Sequence, residues 1–329
     1  MSARCRTIAA LNENHQGDED SARRLIDAAR EAGADGVKFR KRTVSLAGVR
    51  QLLDSPVPRY RALGPTYRKV LERLDFSVDT LARLREHAAG IEFVVAPYDQ
   101  EAWRQLDGGP WSAWKVDSAP ATHLPLLTAL GDSKYPVAAS TGGCTRREIE
   151  AILQCLGSIE LTLVHALHLP SVTAGVLDVA YLVPLARFGR PVGYEDHEPG
   201  ISLALTAVAL GAVLIEKPLA LERGSSRAPG LAPEEFRELV CGIRALENLR
   251  LNGALRNPSP EEMDELERER PGVVAAIPIL RGTVITREML TLKPPARGLS
   301  PRLLPLLEGR RALYDIPEDE PITFGMVGL

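Results

Sequence analysis

Cysteine is scarce in this chain of 329 residues: there are four, at positions 5, 144, 155 and 241, with no C-x-x-C pair and no zinc-type spacing. That excludes a thiolate metal centre read from spacing and argues against a disulfide framework, so a reduced, cytoplasmic protein is expected. A surplus of either charge is also missing, since 40 Lys and Arg stand against 43 Asp and Glu for a net charge of -3. Without a basic stripe there is no footprint for nucleic acid or anionic membrane, and neither is an expected partner. No apolar run reaches membrane-spanning length, and MSARCRTIAAL at the start has no signal-type apolar core. The Gly-rich phosphate turn of a doubly wound dinucleotide domain is absent too.

What is present is a repeated alternation. Eight short apolar runs appear in order: TIAAL (7–11), GVKF (36–39), IEFVVA (91–96), AWKV (113–116), PVAAS (136–140), LTLVHAL (161–167), PVGY (191–194) and AVLIE (212–216). Helical segments separate them. Ala22, Leu25, Ile26 and Ala29 carry the spacing of a half-buried helix. Ser77 suits an N-cap, and Thr145 with Glu148 has the form of a capping box. Eight strand–helix units predict an α/β fold, a (β/α)8 TIM barrel over residues 1–245. Residues 246–271 are polar and acidic and read as a linker with room for one helix. Residues 272–329 are punctuated by Pro and Gly and predict a small β-rich second domain.

Ligands of such barrels bind at the C-terminal strand ends. Those ends carry Asn12, Asn14 and His15; Lys38 and Arg40; Lys115, Asp117 and Ser118; Ser140 and Thr141; His165 and His168; Glu195 and His197; Glu216 and Lys217. Lys38 and Lys115 sit inside apolar runs, where an unpaired ammonium is costly. Their partner is either an anionic ligand or an internal acid such as Asp117 or Glu216. The small-residue turn Ser140–Thr141–Gly142–Gly143 suits either a phosphate cradle or an ordinary turn before the capped helix.

The order of motifs resembles the sialic acid (N-acetylneuraminate) synthase family. The matching stretches are NENHQGD, AGADGVKF, LGPTYRKVLERLDFS, WKVDS, ASTGGCTRREIE, LVHA, GYEDHEPGISLALTAVALGAVLIEK and LAPEEFRELVCGIRAL, followed by a C-terminal pattern like the family's antifreeze-like (SAF) domain. The resemblance implies condensation of phosphoenolpyruvate with a sugar aldehyde, C–O cleavage and loss of phosphate. It implies that Lys38 and Lys115, helped by Ser118 and Ser140, hold the small anion, with Glu216 at the reacting end. It also implies a domain-swapped homodimer in which an SAF domain covers the partner's barrel mouth.

Several positions depart from the family pattern. Of the family's two metal-binding histidines, His197 matches one and Pro218 takes the place of the other, so a divalent metal is less expected here and no metal ligand is assigned. Glu195 stands for a serine, Ala10 for an acid and Arg40 for a glutamine; the loop after the eighth run shrinks to GSSRAPG (224–230). The SAF arginine falls at Pro294, with Arg297 nearby as a substitute. Arg40 and Lys217 are candidate cations for the role the metal leaves. The expected catalytic residues are therefore Lys115, Glu216 and His197. The expected substrate-binding residues are Lys38, Arg40, Ser118, Ser140, Thr141, Asn14, His15, Glu195, Lys217 and Arg297. Two alternatives stay open: other chemistry on a phosphorylated or carboxylated ligand, or a non-catalytic sugar- or anion-binding homologue.

Overall fold

A computed structural model describes residues 4–167, 178–222, 230–248, 257–295 and 297–328. Eight parallel strands close into a barrel in sequence order: β1 (Arg6–Ala10), β2 (Gly36–Lys41), β3 (Glu92–Pro97), β4 (Ala113–Val116), β5 (Val137–Ser140), β6 (Leu161–Ala166), β7 (Val192–Glu195) and β8 (Leu214–Pro218). β8 returns to pair with β1, placing Pro218 opposite Ala10. Each of the eight runs read from the sequence overlaps one strand, shifted by a residue or two at the ends.

Helices cover the barrel from outside, each for a local reason. Asp18 caps Glu19–Glu31 through the Ser21 N–H, and that helix buries Ala22, Leu25, Ile26 and Ala29. Ser77 caps Val78–His87 through the Thr80 N–H. Thr145 and Glu148 form the expected capping box on Arg146–Leu156, which buries Ile149, Ile152 and Leu156. After β8 the helix Pro233–Glu247 turns Phe236, Leu239, Val240 and Ile243 inward. The result is one continuous apolar layer between strands and helices, running from Ala9 and Val37 to Phe236 and Ile243.

The chain divides into two compact units, Met1–Leu251 and Asn252–Leu329. The second contains the helix Pro260–Glu269, then β9 (Gly272–Ala275) and β10 (Leu290–Lys293), paired antiparallel. Among the described residues its remaining apolar pieces pair by isolated bridges, Val274 with Pro321, Ile279 with Ile316, Val284 with Arg311 and Ala312 with Val327. Prolines and glycines between these pieces stop longer ladders. Val273, Ile285, Leu290, Leu307, Ile316 and Ile322 form its own core. Arg297 is exposed in this unit, two residues after Pro295.

Candidate active site

Strand parity decides which side chains enter the barrel, because successive residues face opposite sides. Ile8, Val94, Ala113, Ala138, Val164 and Leu214 form a small apolar cluster separate from the outer layer; it is the floor of the interior. The Arg6–Glu92 ion pair, at 3.4 Å, lies two residues below it. A void of about 10 Å3 remains at that level, lined by Lys115 and Glu216 from above, about the size one water needs. Two residues further along the strands come Ala10, Ala96, Lys115, Ser140, Ala166 and Glu216. Lys38 joins this level opposite Ala10, and Glu195 joins it opposite Glu216.

The polar members of this level are knitted together by charge. Lys38 Nζ donates to Asp117 Oδ1 at 2.8 Å and also to Glu216 Oε1. Lys115 Nζ donates to Glu195 Oε2 at 2.7 Å and to Asp117 Oδ1 at 3.1 Å, and lies 3.5 Å from Glu216 Oε2. Arg40 Nε donates to Asp117 Oδ2 at 2.7 Å and its Nη1 to Glu13 Oε1 at 3.0 Å. Tyr98 Oη gives Asp117 a further bond of 2.8 Å. At the rim, His197 Nε2 is 3.0 Å from Glu195 Oε1. Both lysines are buried, at 0% and 1% exposure, so the internal acids are the partners they have in this structure.

These contacts set the protonation states. Burial alone would lower the Lys115 ammonium, but Glu195, Glu216 and Asp117 outweigh it and hold it well above the usual lysine range. Burial would raise Asp117, yet Lys38, Lys115 and Arg40 hold its carboxyl well below the ordinary carboxylate range. Glu195 is held low against its burial by Lys115 and Lys38. For His197, burial is opposed by the hydrogen bond and charge of Glu195, and the net direction is upward. A protonated lysine is no amine nucleophile, so Lys115 is built as a cation.

Asp117, Glu195 and Glu216 also bring carboxylate oxygens within 4.8 Å of one another, a set of hard donors able to hold a divalent metal. The same oxygens already accept from Lys38 and Lys115. Metal and ammonium therefore compete for one space. The side chain of Pro218, two residues beyond Glu216 on the same strand, offers no donor atom.

The other expected site residues fall in several places. Ser118 and Ser140 meet, Oγ to Oγ at 2.8 Å, and Gly142 N–H donates to Ser140 Oγ at 3.2 Å. A Cβ on Gly142 would come within 2.6 Å of Ser118 Oγ and 2.7 Å of the Ala166 carbonyl, so only glycine fits that turn. Thr141 is buried and turns its hydroxyl to the Val164 carbonyl at 3.2 Å. Asn14 donates to the Leu219 carbonyl at 2.6 Å, tying the loop after β1 to the end of β8. Asn12, in that same loop, takes a left-handed φ of 36°.

Two residues stand apart from the charged cluster. His15 is packed between Phe39 and Phe76, with centroids 5.9 and 4.5 Å away, on the outer side of β2. Burial lowers its pKa to about 4. Lys217 follows Glu216 and so faces outward, where it donates to Asp196 Oδ2 at 2.7 Å and to the Glu198 carbonyl. It clamps the loop after β7 and does not join the interior, which corrects the expectation that it supplies a cation there. His168 and the loop 224–229 lie outside the described residues. Asp117 is the central acid that the expected site residues lacked; its position two after Lys115 gives it the same inward parity. A cavity of about 230 Å3 is lined by Glu13, which pairs with Arg40, by Asn14, Gln16, Ser21, Arg24 and Glu222, and by Tyr60, Leu63, Ala220 and Leu221.

Comparison with known proteins follows the same division of the chain. The NeuB family model matches residues 25–254 and the SAF domain model residues 270–328. N-acetylneuraminate-9-phosphate synthase of Homo sapiens is 31% identical, over 98% of this chain and 92% of its own length. N,N'-diacetyllegionaminic acid synthase of Campylobacter jejuni is 28% identical, over 96% of this chain and 98% of its own. Among solved structures, the putative spore coat polysaccharide biosynthesis protein E of Chromobacterium violaceum superposes with a TM-score of 0.77 at 24% identity, covering 99% of this chain and 100% of that one. The N-acetylneuraminic acid synthetase of Leptospira borgpetersenii, in complex with citrate, gives 0.68 at 25% identity, over 80% and 90%.

Proposed function

The chain belongs to the NeuB family of sialic acid synthases and ends in that family's SAF domain, and from that premise we propose that it condenses phosphoenolpyruvate with an aldehyde acceptor, a sugar in its open-chain form. The observation that carries the reading is the meeting of Lys38 and Lys115 from two different strands at the closed interior, with Glu216 between them. Lys38 and Lys115 hold the donor's carboxylate and phosphate, and the Ser118–Ser140 pair lines the same wall. Glu216 sits at the reacting end.

The enol carbon of the donor attacks the aldehyde carbon, forming the new C–C bond. Water adds at the cationic carbon that results, and phosphate leaves by cleavage of its C–O bond. The aldehyde oxygen gains negative charge as the C–C bond forms. His197, held by Glu195 and drawn toward its charged form, is placed to give that oxygen a proton. Arg40 adds positive charge from the opposite side. A divalent metal, when bound at the three carboxylates, would supply Lewis-acid polarisation of that oxygen. No step here depends on it, because two ammoniums hold the same oxygens and Pro218 supplies no ligand. The acceptor reaches into the cavity that Glu13 helps to line. Arg297 comes from the SAF domain of a partner subunit in a domain-swapped homodimer.

Phosphate release from phosphoenolpyruvate, measured across a panel of aldoses, tests the reading. Turnover with at least one aldose is expected, and Lys115→Met is expected to abolish donor binding. If phosphoenolpyruvate neither binds nor turns over, the condensation is wrong. A second reading, an anion- or sugar-binding homologue without catalysis, is favoured by one observation: each cation of the cluster is already paired with an internal acid.

A further inference from the structure

Resting on the donor reading above, we propose that Glu195 determines donor specificity by standing on the Lys115 ammonium in the place of the donor's phosphate, so that the donor enters only as Glu195 gives Lys115 up.

The charge count in the interior is the starting point. Three cations, Lys38, Lys115 and Arg40, face three carboxylates, Asp117, Glu195 and Glu216. A site so balanced has no spare positive charge for a phosphate and a carboxylate together, and bringing like charges side by side is costly. One internal carboxylate must therefore move when such a ligand arrives.

The geometry separates the candidates. Asp117 accepts from Lys38, Lys115, Arg40 and Tyr98, so its removal would break four contacts at once. Glu216 lies deep on β8 between both lysines. Glu13 reaches this network through Arg40. Glu195 hydrogen-bonds a single ammonium, that of Lys115, through Oε2, and its other oxygen faces His197. It is the last residue of β7, and the His197 side chain beyond it is 36% exposed. Glu195 can thus turn toward the rim with His197 while the rest of the network stays whole. The Lys115 ammonium it uncovers remains within reach of Asp117 and Glu216, and now presents charge to the mouth.

Calorimetric titration of the full chain with phosphoenolpyruvate and with pyruvate, for the wild type and Glu195→Gln, tests this. The substituted amide keeps the shape of the carboxylate and loses its charge. The variant is expected to bind phosphoenolpyruvate at least about tenfold more tightly, and pyruvate, which lacks the phosphate, by less than about threefold. Adding Lys115→Met to Glu195→Gln is expected to erase the gain. A wild type that binds phosphoenolpyruvate while the variant binds it equally or more weakly overturns the inference and leaves the donor reading standing. Equal tightening of both ligands overturns the assignment to the phosphate. If neither protein binds phosphoenolpyruvate, the donor reading fails and takes this inference with it. Thermal melting checks that the variants are folded; Glu195→Ala is read by the same criteria if Glu195→Gln melts early.

Discussion

Acidification should cost this protein stability through His15, in a window that the structure defines. The ring is 3% exposed between Phe39 and Phe76, and its Nδ1 accepts the Gly17 N–H at 3.0 Å, a bond that needs the neutral ring. Burial holds its pKa at about 4 against an ordinary 6.5; Glu13 and the Asn12 backbone oppose the shift and Arg40 adds to it. The folded value is depressed, so the unfolded chain binds the proton first. Stability is complete above pH 6.5 and is lost as the pH falls toward 4. At about 1.4 kcal/mol per tenfold preference, the loss is about 2 kcal/mol by pH 5 and about 3 kcal/mol by pH 4. Urea unfolding from neutral pH downward, for wild type and His15→Gln, isolates this contribution. Glutamine offers an acceptor to Gly17 and does not titrate. The wild type should lose about 2 kcal/mol more than the variant between pH 7 and pH 5. Parallel curves would refute the buried neutral ring, and would return His15 to the solvated loop residue that a substrate contact requires.

Lys217→Met should cost about 3–5 kcal/mol in urea unfolding by leaving the Asp196 carboxylate buried and unpaired, and adding Asp196→Asn should restore most of it; a loss under about 1 kcal/mol from the single change would show the clamp to be idle. Gly142→Ala should weaken phosphoenolpyruvate binding more than it lowers the melting temperature, because the new methyl meets Ser118 Oγ; an unchanged dissociation constant would remove the serine pair from the donor site. Chelator treatment should leave phosphate release within about twofold, since ammoniums already neutralise the three carboxylates, and a loss restored by added Mn2+ would place a metal there instead.

The barrel was legible because eight buried runs separated by capped helices have few other ways to close. The small second unit was legible as a change of composition, although most of its apolar pieces form single bridges, which no local pattern announces. Inside the site, parity carried more than residue type. Lys115 and Glu216 fall on inward positions that can be counted from the floor residues Ala113 and Leu214. The same count puts Lys217 outside and Asp117 inside, so both could have been placed from strand alternation alone. His15 could not, because it lies in a loop whose direction is set by tertiary contacts with Phe39 and Phe76. The pairing of the lysines with internal acids needed the register of β2, β4, β7 and β8, which sequence spacing does not contain.

The sealed floor has a kinetic meaning. Ile8, Val94, Ala113, Ala138, Val164 and Leu214 shut the interior below the lysines, with Arg6 and Glu92 beneath them. A tube open at one end has a single door. In the proposed condensation, the donor on the lysines passes before the acceptor above it, and whatever forms at the bottom leaves last. Initial-rate and product-inhibition patterns should therefore be those of a compulsory order, donor first, imposed by the shape of the vessel.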